Sequence, residues 1–218
     1  MNNHAIYGRY KKIRDIVWKI YINLKISSLP VSVMDICKKL NIIVLSYEKG
    51  MKDDLFITTI LIQKELKMGS FCLHDTETNK WYIFYDPKII PREAIKLYLA
   101  HELGHIILDH ETEKMNVRLR VISFSPRNLI QNWEEVFEKD AFMFAVRLLC
   151  PVGVMAALNI QSAEDIQYIC RLPKKFAVER FKRLKELYIK NVFGKSKLEK
   201  QVLEQFQDFI KNYPENKY

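Results

Sequence analysis

Apolar residues recur at three- and four-residue steps from Ile6 through Tyr10, Ile13, Val17 and Ile20 to Leu24, the repeat of an amphipathic helix. Pro30 breaks it. Ser32, with Asp35 three positions on, predicts a capped second helix with Val33, Ile36, Cys37 and Leu40 as its stripe and Asn41 as its end. The period then shortens. Residues 42–47 predict a strand, and the β-branched run at 55–62 predicts another. Residues 71–74 and 80–85 flank Asp75-Thr76-Glu77-Thr78-Asn79 as a hairpin, and Trp81-Tyr82-Ile83-Phe84-Tyr85 is the strongest strand signal in the chain.

Helical spacing returns at Pro91, a good first residue, and no proline follows until Pro126. Residues 111–132 carry little periodicity and predict a loop. A helix over 133–149 follows, with Trp133, Phe137, Ala141, Phe144 and Leu148 along one stripe. Ser162-Ala163-Glu164-Asp165 predicts a capped helix through Arg171, Leu172-Pro173 a turn, and 174–190 a further helix. Leu198, Val202, Phe206, Phe209 and Tyr213 place the last helix over 197–211. Strands gathered early and helices around them predict an α+β fold, a small antiparallel sheet followed by a helical C-terminal region. The expected organisation is one domain over 1–151, a helix-turn-helix-like region over 152–193 and a tail helix over 194–218.

Composition narrows this only in places. Hydrophobic residues make up 49% of the 218, ample for a packed core. The four cysteines, Cys37, Cys72, Cys150 and Cys170, form no C-x-x-C pair, which predicts reduced thiols and a cytoplasmic protein. The first residues lack the apolar core of a signal peptide, and apolar patches are interrupted at Lys19, Asn23 or Arg147, so no membrane span is expected. The net charge of +9 is uneven: residues 171–200 hold eleven Lys and Arg against three Glu. On the predicted basic helix, Lys175, Lys182 and Arg183 are candidates for phosphate contact, with weak or no nucleic-acid binding expected.

The candidate chemistry lies in the helix after Pro91. His101-Glu102-Leu103-Gly104-His105 is an instance of H-E-x-x-H. Residues four apart share a helix face, so both imidazoles can reach one zinc ion, with Glu102 beside them as a base for an attacking water. Leu97, Leu99, Leu103, Ile106, Ile107 and Leu108 surround the motif and predict burial, where a polar trio needs partners. A catalytic zinc site takes a third protein ligand, and Glu138 on the next helix offers one, as do its neighbours Glu134 and Glu135. Ala141 and Ala145 follow Glu138 on its side of the helix, and Gly104 is the matching small residue opposite.

HELGHIILDH, followed by Glu138-Lys139-Asp140-Ala141-Phe142-Met143-Phe144-Ala145-Val146-Arg147-Leu148-Leu149-Cys150-Pro151, resembles the ImmA/IrrE family of bacterial zinc metallopeptidases. That family pairs a HELGH helix with a downstream E-x-E-A-N-x-F-A-x-x-L-L-x-P segment. Asp140 stands for its second Glu and Phe142 for its Asn. The resemblance implies a compact zincin-like domain, zinc held by His101, His105 and Glu138, and Glu102 as the catalytic base. It also implies a substrate, a helix-turn-helix transcriptional repressor of a phage or mobile element. Helical angle agrees on the third ligand, because Asp140 falls about 200° from Glu138. Tyr98, His110 and His74 are candidates for the donor that steadies the oxyanion. The basic C-terminal region supports a second reading, a non-proteolytic DNA- or protein-binding regulator with a structural or vestigial metal site. An intact Glu102 favours the first, since a structural site needs no base.

Overall fold

The computed structural model describes residues 3–110 and 128–213. Its elements are α1 (Asn3–Asn23), α2 (Val33–Lys39), β1 (Ile42–Ser46), α3 (Tyr47–Lys52), α4 (Ile57–Glu65), β2 (Ser70–Asp75), β3 (Lys80–Tyr85) and α5 (Ile95–Ile107). After these come α6 (Asn128–Leu149), α7 (Val152–Ala157), α8 (Ala163–Cys170), α9 (Lys174–Ile189), α10 (Lys197–Gln205) and α11 (Gln207–Lys211). The α+β class holds. The chain forms two compact units, one of residues 33–145 and one joining 1–32 to 146–218.

In the first unit the sheet order is β1-β3-β2. Tyr82, Ile83 and Phe84 are buried in the central strand, as the density of aromatic and β-branched residues there predicts. Tyr82 and Phe84 share one face and form a cluster with Tyr47 and Ile60, while Ile83 points to the other face. The hairpin forms as expected, with Ser70 opposite Tyr85 and Asp75 opposite Lys80. The sheet is mixed rather than wholly antiparallel, because β1 runs parallel to β3, with Ile42 beside Trp81 and Ser46 beside Tyr85. The crossover between β1 and β3 spends α3, α4 and β2, enough chain for a parallel return.

The strand expected at 55–62 is instead α4. Only Ile60 of its apolar residues is fully buried, while Leu61 and Ile62 stand about half exposed, a pattern no half-buried strand would show. Phe56, at φ 52, turns the chain into the helix, and Gln63, Lys64 and Glu65 extend it as good helix formers. Packing of one isoleucine under the sheet outweighs a weak preference for extended backbone.

Helix α5 begins at Ile95, four residues after Pro91, because residues 91–94 first close a tight turn with the Ala94 N–H donating to the Pro91 carbonyl. The loop expected over 111–132 lies outside the described residues up to 127, and from Asn128 the chain is already helix α6. One further expectation is corrected: Glu135–Ala157 is long and apolar enough, by composition, to cross a membrane. Yet 61% of its most apolar window is buried inside the fold, including Ala141, Phe144, Leu148 and Met155.

In the second unit, Ile13, Val17 and Tyr21 bury the stripe of α1. The Tyr21 hydroxyl donates to the Leu148 carbonyl, and the Gln205 amide donates to the carbonyls of Tyr21 and Ile26. Ser162 and Asp165 form the expected capping box at the start of α8. The last predicted helix is two, broken at Phe206, whose fully buried ring meets Tyr21 edge-on at 5.6 Å.

The sheet cluster supplies the first test. Phe84 is fully buried against Phe56, Phe71 and Tyr82, so Phe84→Ala should cost about 3–5 kcal/mol in denaturant unfolding. A loss below about 1 kcal/mol would mean the sheet face is not the core described here.

Candidate metal centre

Helix α5 sets His101 and His105 one turn apart, and their Nε2 atoms lie 3.1 Å from each other. Glu138 reaches them from α6, with Oε2 3.0 Å from Nε2 of His101 and Oε1 3.3 Å from Nε2 of His105. Donors bonded at about 2.0–2.1 Å in a tetrahedral shell stand about 3.3–3.4 Å apart. The three residues come close to that spacing and could hold a metal ion. Two imidazoles and one carboxylate suit a borderline cation such as zinc. The site is sealed on one side and open on the other: the His105 side chain is 5% exposed, that of Glu138 56%.

What brings the two helices together is Gly104. A Cβ built there would lie 3.0 Å from the Ala141 carbonyl oxygen and 3.1 Å from the Ala141 Cα. Ala141 and Ala145 are fully buried on the facing side, so the flat patch expected from sequence is present. Hydrogen bonds from His101 and then His105 hold the Glu138 carboxyl well below the usual carboxylate range, against the opposing effect of burial.

His105 is held from both ring edges. Helix α5 ends at Ile107, Asp109 takes the left-handed conformation at φ 57, and the chain folds back. His110 then sets Nδ1 3.0 Å from Nδ1 of His105, its ring buried against Phe137. That contact is on the edge of His105 away from Glu138.

Glu102 is buried and accepts a hydrogen bond at Oε1 from the Ser70 hydroxyl, at 2.7 Å. Ser70 opens β2, 32 residues earlier, and no spacing rule in the sequence points to it. Tyr98 lies one turn before Glu102 on α5, exposed, with its ring edge beside Gly69. His74 stays with the hairpin, stacked on Trp81 and 3.0 Å from Asn79 Oδ1. Of the other carboxylates on α6, Glu135 is exposed and lies 3.6 Å from Lys139, while Asp140 is buried outside the donor group. The side chain of Glu134 lies outside the described residues. Lys175 and Lys182 are exposed on α9, and Arg183 there pairs with Glu186 at 2.7 Å.

A family model described as Peptidase_M78, IrrE N-terminal-like domain, matches residues 53–184. Neither the curated proteins nor the solved structures contain a match to the chain.

Gly104→Ala tests the helix approach. Overpacking of about 1–3 kcal/mol outweighs the roughly 1 kcal/mol regained from helix propensity. Forcing α6 outward should also weaken metal affinity by about 10–100-fold in a competitive chelator titration. Unchanged affinity would mean that Glu138 does not depend on this contact.

Proposed function

The chain belongs to the Peptidase_M78 family with the IrrE N-terminal-like domain, and from that premise we propose a zinc-dependent endopeptidase acting in the cytoplasm. The observation that carries the reading is the convergence of His101, His105 and Glu138 on one point, with a glutamate next to the first histidine. Its substrate is a helix-turn-helix transcriptional repressor. Support for that comes from the resemblance of the HELGH helix and the 138–151 segment to the ImmA/IrrE family.

In this reading His101, His105 and Glu138 hold the zinc. The ion would supply Lewis acidity toward a water and toward the scissile carbonyl. The rest of the chemistry belongs to side chains. Ser70 fixes Glu102 through Oε1, which leaves Oε2 to accept the proton of the attacking water and return it to the leaving amine. His110 fixes the ring plane of His105, as partners of metal-binding histidines do. Tyr98 is the favoured oxyanion donor, because it shares a helix face with His101 and Glu102 and its phenol stands exposed.

One observation favours the second reading, a DNA-binding regulator. Helices α8 and α9 are joined by Arg171-Leu172-Pro173 alone, and α9 exposes Lys174, Lys175, Lys182 and Lys185. Sequence-specific binding at physiological salt, together with a metal site that cleaves nothing, would select it over the peptidase.

The peptidase is tested against purified helix-turn-helix repressors, starting with any encoded beside it, cleavage being read by intact mass. Glu102→Gln should keep zinc and fold while losing at least about 10²-fold in rate. Cleavage by that variant at the wild-type rate would remove Glu102 as the base. Ser70→Ala should lower kcat with little change in KM, since it loosens the base and not the substrate. For the ligand set, Glu138→Ala should lose zinc while Glu135→Ala keeps it, by metal analysis after dialysis. The reverse pattern would put the wrong face of α6 at the metal.

A further inference from the structure

The unit that joins residues 1–32 to 146–218 contains a cavity of about 210 Å³ with an unusual lining. Six cations face it: Lys11, Arg14, Arg147, Arg180, Arg183 and Lys190. No lining residue is acidic. Local partners offset two of them, Asp15 for Arg14 at 2.8 Å and Glu186 for Arg183 at 2.7 Å. Arg180 is buried and spends Nε and Nη2 on the Cys150 carbonyl, which satisfies hydrogen bonds but leaves its charge uncompensated. Arg147 is half-buried, with its guanidinium 5.9 Å over the Tyr10 ring, and among the described residues it pairs with no carboxylate.

Gathering like charges away from water costs free energy on two counts, desolvation and repulsion. Both act on Arg147: burial first, then the neighbouring Arg180, Arg183 and Arg14, push its guanidinium down to about 9. A fold keeps such a cluster when something negative offsets it. Two uncompensated guanidiniums match the charge of a phosphoryl dianion, and the planar fork of Arg147 together with the remaining Nη hydrogens of Arg180 can donate to its oxygens. The volume lies below the range of drug-sized pockets, so it suits a small head group. A duplex is a poorer fit, because its phosphates meet side chains on an open surface and Arg180 is recessed.

We propose that this cavity is a binding site for a small phosphorylated ligand, with Arg147 and Arg180 holding the phosphoryl group and Arg14, Arg183, Lys11 and Lys190 lining the entrance. The ligand is inorganic phosphate or a phosphate monoester, and the inference stands apart from the metal centre and the peptidase reading.

The test uses the full chain in phosphate-free buffer, titrated with inorganic phosphate and separately with AMP, at constant ionic strength set by sodium chloride. At tenfold excess over Kd, phosphate should raise the melting temperature by roughly 3–6 °C. A lower Kd for AMP than for phosphate would identify a monoester; equal affinity would identify the free anion. Arg147→Gln should melt higher than the parent without phosphate, since repulsion is relieved, and respond at least about tenfold more weakly to it. Arg183→Gln, an exposed position at the entrance, should weaken the response in the same direction but by less, without touching the buried pair. The double variant Lys175→Gln/Lys182→Gln, outside the cavity, should respond like the parent. No response of the parent at 10 mM of either probe (roughly the weakest affinity of interest) would overturn the proposal. So would an equal loss in the double variant, which would mark a diffuse charge effect, or displacement of phosphate by duplex DNA at low micromolar concentration.

Discussion

The backbone of Ala141 on α6 comes so near Gly104 on α5 that a Cβ there would press on a carbonyl oxygen at 3.0 Å. Helix axes normally stand 8–10 Å apart, at a distance set by the side chains between them. Here hydrogen and a methyl group are the spacers. The motif helix can supply two imidazole nitrogens by its own periodicity, but a third donor must come from elsewhere in the chain. Glutamate is long enough to reach both imidazoles only if its helix comes this close. Placing the small residue between the two histidines puts the point of closest approach beside the donors.

Around that contact each polar group is fixed by a second one. His105 has Glu138 at one edge and His110 at the other. Glu102 has Ser70 at one oxygen. Such pairing suits burial, where an unpartnered polar atom costs on the order of 1–3 kcal/mol. It also suits a site that must hold a geometry before any substrate arrives. The side chain of Glu138, held by both imidazoles, is more than half exposed, so the site has one accessible side. Its negative charge is favoured by the two imidazoles, which is the sense a positive ion in the same place would reinforce.

The parts of this arrangement legible in the sequence are those set by period. Four-residue spacing put His101 and His105 on one face, and a rotation of about 100° per residue separated Glu138 from Asp140. The existence of the motif helix, though not its start at Ile95, the hairpin and the capping box at Ser162 follow from local patterns. What was not legible depends on distant partners. The 55–62 run reads as strand by its β-branched residues, yet Ile60 packs under the sheet as part of a helix. The parallel pairing of β1 with β3 leaves no mark in either segment. Ser70 carries no signal, since a serine at a strand start is common and its partner is 32 residues away. The apolar length of 135–157 was underestimated because Arg147 interrupts it, although most of its apolar side chains belong to the core.

The division of the chain into its two units bears on the order in which a ribosome delivers them. Residues 33–145 are contiguous, so every group of the metal centre has been synthesised once Ala145 emerges. The other unit is split around it. Tyr21 waits 127 residues for the Leu148 carbonyl and 184 for the Gln205 amide. Domains fold as units during synthesis, earlier segments first where they can. Helix α1 is therefore docked late, and until residues 146–205 have been made Ile13, Val17 and Tyr21 present an apolar stripe without these partners. On the nascent chain it is this helix, and not the metal-binding motif, whose apolar face waits longest for its partners.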